Sequence, residues 1–187
     1  MSAKEIYFLP GRRSKIDEGT GELILNLGVN VVGREILGDF EVYPIKKQLE
    51  LICNDIKSNF WGKEHKIIGR SYGGYLAMHA LMEFLPQKYP GKVLLLSPVL
   101  GRSDTKVLNY GSRPPRANKI LEYAKAGYLE GLDIEIYTGD KDGGCDYTLA
   151  EEIFSYIKSS KLHIVKGATH YFDEKLTINI LKDFLKV

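Results

Sequence analysis

Apolar positions along the chain fall into two alternating patterns. Six short runs, Glu5–Leu9, Asn30–Ile36, Lys66–Gly69, Lys92–Ser97, Asp133–Thr138 and Lys161–Lys166, are rich in Ile, Val, Leu and Tyr, and several stop at Gly or Pro. Compact apolar runs of this length predict buried strands. The second is the least regular, because Gly33 interrupts it.

Longer segments between the runs carry helical spacing. Ile45, Leu49, Ile52 and Ile56 form one stripe, followed by Phe60. Ala77, Ala80, Leu81 and Phe84 form another, which stops at Leu85-Pro86 because a residue before proline is pushed out of the helical region. Ile153, Phe154 and Ile157 mark a third, and Ile180, Leu181 and Phe184 a fourth; Thr20–Leu27 and Pro115–Leu129 are less regular helical segments. Strand and helix alternate throughout, as right-handed βαβ crossovers and a parallel sheet covered on both faces require. The expected fold class is α/β, a three-layer α/β/α sandwich on a six-stranded, mainly parallel sheet. No linker, repeat or low-complexity tract breaks the alternation, so one domain over residues 1–187 is expected.

Composition narrows the function classes. The 187 residues are 44% hydrophobic and 27% charged, ordinary globular values that exclude a disordered or fibrous chain. A net charge of +2 gives no reason to expect nucleic acid or an anionic membrane as partner. Cys53 and Cys145 are the only cysteines, too few for a disulfide scaffold, which points to a reducing cytoplasm. Met1 to Glu5 leads straight into Ile6-Tyr7-Phe8-Leu9, too short for a signal-peptide core, and no stretch approaches the ~18 apolar residues of a membrane span. A soluble, cytoplasmic protein is the expectation.

The chemistry starts at the third strand-to-helix turn, Gly69-Arg70-Ser71-Tyr72-Gly73-Gly74. Gly69-x-Ser71-x-Gly73 matches the nucleophile elbow, in which glycines two residues either side permit a turn too tight for side chains. Ten serines and 19 glycines make the bare pattern roughly a one-in-ten coincidence, so its placement between strand and helix carries the weight. A Gly-rich turn capped by Ser71 is the plainer alternative.

A serine nucleophile needs a base, and the chain has four histidines. His65 opens the third strand, His79 lies within a helix and His163 within a strand, which makes all three structural candidates. His170, in Lys166-Gly167-Ala168-Thr169-His170, follows the last strand and therefore shares the sheet edge of Ser71. An orienting acid is available after the fifth strand, in Gly139-Asp140-Lys141-Asp142-Gly143-Gly144-Cys145-Asp146. That run lacks the spacing and closing glutamate of a calcium loop.

With Ser71, this acidic turn and His170 in that order, the chain resembles the α/β-hydrolase superfamily along nearly its whole length, from Phe8-Leu9-Pro10-Gly11 to the terminal helix. The resemblance implies a minimal α/β-hydrolase fold and a small, cap-poor serine esterase working through a Ser-His-Asp triad and an acyl-enzyme. It maps the acid to Asp142, with Asp140 the alternative. It also implies an oxyanion hole from the Tyr72 amide and from the loop Pro10-Gly11-Arg12-Arg13-Ser14, where Arg12 is assigned and Gly11 is the alternative. Many members carry His-Gly where this chain has Pro10-Gly11. The family's strand order places the Gly11 loop and the elbow on either side of one crevice.

The implied substrate is a small carboxylic ester, with no metal or organic cofactor. A thioesterase or peptidase would use the same machinery, and a catalytically silent binding protein is the alternative of another class. Gly-Arg recurs at Gly11-Arg12, Gly33-Arg34, Gly69-Arg70 and Gly101-Arg102, each near a strand end. Arg70 and Arg12 foremost could make the rim electropositive and select an anionic acid or ester; arginines following turn glycines by chance are the plainer account. Tyr72, Tyr75 and Trp61 read as packing, Lys46-Lys47 and Arg113 to Lys119 as solvated surface, and nothing marks Cys145 as a nucleophile. About 30 residues, Gly101 to Gly131, stand where larger members insert a cap, so a short helical flap and an open crevice are expected. Six strands also leave no room for the hairpin that many members carry before the first parallel strand.

Overall fold

The computed structural model describes residues 5–83, 87–101 and 116–187. Its strands are β1 (Glu5–Leu9), β2 (Asn30–Gly33), β3 (Lys66–Arg70), β4 (Lys92–Leu96), β5 (Asp133–Gly139) and β6 (Lys161–Val165). They form one sheet in the order β2-β1-β3-β4-β5-β6, and every pairing is parallel. The expected "mainly parallel" sheet is therefore wholly parallel among the described residues.

Side chains alternate across this sheet, and both faces are buried. Tyr7, Leu9, Ile67, Val93, Leu95, Ile134 and Ile136 point to one face. Ile6, Phe8, Ile68, Leu94 and Leu96 point to the other. The first face is covered by α3 (Ile45–Asn59), α4 (Tyr72–Glu83), α5 (Lys119–Lys125) and α6 (Tyr147–Ser155), the second by α1 (Thr20–Asn26) and α7 (Glu174–Leu185). In α4 every residue from Tyr72 to Met82 is buried, so the helix that carries the elbow is apolar almost all round. Truncating a fully buried side chain such as Ile52 would cost about 2–5 kcal/mol.

Three features depart from the sequence expectation by more than one residue. The second strand ends at Gly33, not Ile36, because Gly33 lies so tightly on β1 that a Cβ there would overlap the Phe8 carbonyl oxygen. Arg34 then leaves the sheet, and Ile36 exchanges backbone hydrogen bonds with the loop after β1, accepting from Arg13 (2.6 Å) and donating to Ser14 (3.2 Å). The expected Pro115–Leu129 helix is shortened to α5. Gly127 adopts a φ of 75°, and the Tyr128 amide closes the helix on the Tyr123 carbonyl at 3.0 Å. A five-residue helix, α2 (Gly38–Val42), has no counterpart in the apolar pattern, since none of its residues is buried.

The Leu85-Pro86 stop and residues 102–115 of the flap expected around 101–131, including Arg102, lie outside the described residues. Of that segment, α5 buries Ile120 and Ala124 in the core. No helix among the described residues is long and apolar enough to cross a membrane.

Strand order positions the site. The chain runs from β1 outward to β2 and then returns to β3 on the other side, so strand order reverses at β1. Loops leaving β1 and β3 at their carboxyl ends diverge there and open a crevice.

Candidate active site

Ser71 sits between β3 and α4 with a φ of 52°, a left-handed conformation that a non-glycine residue adopts only when its surroundings enforce it. Here they do. The Ser71 amide donates to Leu96 (3.0 Å), and the Ser71 carbonyl accepts from Val99 (3.0 Å) and Tyr75 (3.2 Å), tying the turn to β4 and to its own helix. A Cβ on Gly69 would fall 2.8 Å from Gly74 Cα, and one on Gly73 would overlap the carbonyl oxygens of Leu9 and Pro10. The first glycine lets the elbow close on itself. The second lets it press against the end of β1.

The hydroxyl meets a base. Ser71 Oγ is 2.9 Å from His170 Nε2, and His170 Nδ1 is 2.8 Å from Asp142 Oδ1. The same Oδ1 accepts the amides of Gly144 (2.7 Å) and Cys145 (3.0 Å), while the acid side chain is fully buried. Burial pushes the Asp142 carboxyl up, but the hydrogen bond and charge of His170 and the two amides outweigh it, leaving the group below its ordinary value. It is a carboxylate at neutral pH. An Nδ1–H donated to that carboxylate presents a free Nε2 lone pair to the Ser71 hydroxyl.

Asp140 lies in the same turn and does different work. Its Oδ1 accepts the Gly167 amide at 2.6 Å, and the Lys141 amide donates to Ala168 at 3.0 Å. These bonds staple the loop after β5 to the loop after β6, so Asp142 and His170 arrive as a pair. Asp146 caps α6 by accepting from Thr148 (2.9 Å) and Leu149 (3.4 Å). Each carboxylate of the acidic turn thus has its own partner. Cys145 is fully buried, which pushes its thiol up and away from reactivity.

The loop after β1 closes the other side. Gly11 to Ser14 form a turn closed by the Ser14 amide on the Gly11 carbonyl (3.2 Å), with Arg13 at a φ of 59°. Since the Arg13 amide is bonded to Ile36, the Arg12 amide is left with no backbone acceptor among the described residues. Tyr72 is in the same position, because as the first residue of α4 its N–H precedes the helical ladder. A Cβ on Gly11 would lie 3.6 Å from Ser71 Cβ and 3.9 Å from Arg70 Nη1, so Gly11, Ser71 and Arg70 converge on one spot.

Of the three Gly-Arg arginines among the described residues, two flank the serine. The Arg12 guanidinium lies 4.6 Å over the Tyr72 ring and shares Glu41 with Arg13, at 3.7 Å and 3.4 Å. Arg70 lies 4.6 Å over the Tyr171 ring and donates to the His170 carbonyl at 3.5 Å. Arg34 is elsewhere, bonded through Nε (2.6 Å) and Nη2 (2.8 Å) to Asp55, which also accepts the Tyr7 hydroxyl. That arginine holds α3 to the sheet and has no part in the rim.

Tyr171 and Gly144 were missed in the sequence reading. Tyr171 is a 70% exposed aromatic beside His170, and such a residue on a loop was the available signal. Gly144 allows the imidazole to pack on the acid loop, since a Cβ there would lie 2.8 Å from His170 Cε1 and Nδ1.

No family model and no curated protein matches the chain. Solved structures do. A hydrolase of Agrobacterium vitis S4 covers 98% of this chain and 87% of its own at 17% identity and a TM-score of 0.67. Est1E of Butyrivibrio proteoclasticus, also solved with ferulic acid bound, gives the same coverage and identity with a TM-score of 0.68. A monoacylglycerol lipase of Paleococcus ferrophilus covers 97% and 94% at 14% identity and 0.68, and mouse alpha/beta hydrolase domain-containing protein 10 covers 100% and 90% at 18% and 0.66.

Proposed function

We propose that this chain, whose fold is that of the α/β hydrolases, is a serine hydrolase of small carboxylic esters. The carrying observation is the hydrogen-bonded line Ser71 Oγ, His170 Nε2, His170 Nδ1, Asp142 Oδ1, with links of 2.9 and 2.8 Å. It leads from an elbow serine to a buried carboxylate.

Ser71 Oγ attacks the ester carbonyl while His170 Nε2 takes its proton. Asp142, held as a carboxylate, stabilises the imidazolium that forms. Charge developing on the carbonyl oxygen is met by the Tyr72 and Arg12 amides, each worth about 3–4 kcal/mol in the transition state. His170 then returns the proton to the departing alcohol. Water repeats the sequence on the acyl-enzyme, releasing the acid and restoring Ser71. None of these steps draws on a metal or organic cofactor. Preference for esters over amides rests on the company of the fold, which includes a monoacylglycerol lipase. The reading treats residues 1–187 as one catalytic domain, and the buried free thiols Cys53 and Cys145 suit a reducing cytoplasm.

Labelling by a fluorophosphonate, with hydrolysis of matched esters, thioesters and amides followed in parallel, tests the proposal. The parent is expected to label and to cleave esters fastest, and Ser71→Ala to do neither. Labelling with faster thioester or amide cleavage would replace the substrate class. Absence of Ser71-dependent labelling and turnover would make the chain a binding protein.

A further inference from the structure

Beside His170, on the side of α1 and α7, lies a cavity of about 280 Å³. Arg70, Ser97, His170 and Tyr171 line it, with Glu22 and Glu174 contributing from the first turns of α1 and α7. Two of these groups are incomplete. Arg70 is half-buried and has no carboxylate within 4 Å among the described residues, although Arg12, Arg13 and Arg34 all have one. Ser97 is 1% exposed and strained at a φ of 45°, and its Oγ has no hydrogen-bond partner among the described residues. Burying a hydroxyl without a partner is costly, and a guanidinium with no carboxylate beside it in a partly closed site is a standing anion receptor. Arg70 also reaches the crevice, because its Nη1 and Ser71 Cβ both lie within 4 Å of the point where a Gly11 Cβ would stand.

We propose that this cavity is the subsite for a carboxylate carried by the substrate, held by the Arg70 guanidinium and the Ser97 hydroxyl. The preferred substrates are then half-esters of short dicarboxylic acids, such as a monoalkyl succinate. The inference rests on the serine-esterase reading and adds the substrate's charge to it. Glu22 and Glu174 restrict the receptor to the spot that Arg70 commands and disfavour a second negative charge.

Three esters of similar length separate the alternatives: monomethyl succinate, dimethyl succinate and methyl 4-(trimethylammonio)butyrate, with hydrolysis followed by pH-stat. The parent is expected to favour the anionic ester. Arg70→Gln should lower the ratio of kcat/KM for monomethyl over dimethyl succinate about ten- to hundredfold, with Arg70→Lys intermediate. Ser97→Ala should raise KM for monomethyl succinate about three- to tenfold, a change that removal of an idle buried hydroxyl would not produce. A parent that prefers the neutral or cationic ester overturns the proposal. So does an equal loss on all three esters in Arg70→Gln, which would leave Arg70 only positioning the His170 loop. Levulinate, the monoanionic methyl ketone with the carbon frame of the half-ester and no ester bond, reads the subsite without turnover. It should raise the melting temperature of the parent and not of Arg70→Gln, whether or not Ser71 proves to be a nucleophile. An equal shift in both proteins, or none in either, overturns the subsite independently of the esterase reading.

Discussion

His170 and His79 are the same side chain in opposite situations. His170 stands on a loop at the carboxyl end of the sheet, 23% exposed, with one ring nitrogen on a carboxylate and the other on a hydroxyl. His79 lies on α4, eight residues beyond Ser71, fully buried and with neither nitrogen hydrogen-bonded among the described residues. Its nearest ring neighbour is Tyr75, edge-on at 4.3 Å. Burial, and to a lesser degree the charge of Arg116, pushes its pKa down to about 3. A proton can reach His170 from the crevice and be stabilised there by Asp142; at His79 it would be an uncompensated charge in an apolar helix interface. Partners and access, not residue type, separate a base from a core residue.

Substituting each histidine in turn is the strongest way to break this contrast. His170→Gln is expected to lower kcat for ester hydrolysis about 10⁴-fold or more, because the serine loses its proton acceptor. His79→Leu should stay within about threefold of the parent. A loss above tenfold in a folded His79→Leu protein would show that the buried ring acts on the site through α4.

Asp142 and Asp140, two residues apart in the acidic turn, give the next largest contrast. Asp142→Asn keeps the shape but presents an amide to His170 Nδ1, favouring the wrong tautomer, and should cost about 10⁴-fold in kcat. Asp140→Asn retains an acceptor for the Gly167 amide and should cost less than about threefold. Equal losses would mean that the staple between the loops matters as much as the acid.

That contrast also shows what could be read from the chain. The elbow is legible because its demands are local: Gly69 and Gly73 answer collisions within a few residues or with the neighbouring strand end. Five of the six strands start and stop within one residue of their apolar runs; in β1, β3, β4 and β5 burial leaves little freedom in composition. Choosing between Asp142 and Asp140 is not a local matter. Both sit in one turn, and only the crossing of that turn with the loop after β6 assigns the ring to one and the Gly167 amide to the other. The Gly-Arg arginines look alike in sequence for the same reason. Arg34 meets Asp55 across 21 residues, and Arg70 meets Tyr171 across a hundred. The short helix α2 left no apolar stripe because it packs only Phe40, and that partly, against the core.

A finer probe of His170 is the space around it. Gly144→Ala would place a methyl 2.8 Å from Cε1 and Nδ1 of the ring, closer than real contacts allow, so the imidazole must move. Displacement by even a fraction of an ångström lengthens a 2.8 Å and a 2.9 Å hydrogen bond together. The expected result is a loss of about ten- to hundredfold in kcat, with fluorophosphonate labelling of Ser71 slowed in proportion. Unchanged rates would show that the histidine loop has slack.

The smallest effect belongs to His79 and appears in stability, not turnover. In the unfolded chain its imidazole binds a proton near pH 6.5, whereas in the fold it stays neutral down to about pH 3. Between those values the unfolded state holds the extra proton, so the His79 contribution is fully present above pH 6.5 and is lost as pH falls towards 3. The slope is about 1.4 kcal/mol per pH unit, or about 2 kcal/mol between pH 7 and pH 5. His79→Leu removes this linkage together with two buried nitrogens that lack partners among the described residues. Urea unfolding of parent and variant at pH 7 and pH 5 should therefore give a stability difference that grows in the variant's favour by about 2 kcal/mol on acidification. A difference that stays constant would mean that the imidazole finds a proton-accepting partner in the fold. His79 would then belong with His170, and the contrast between the two would fail.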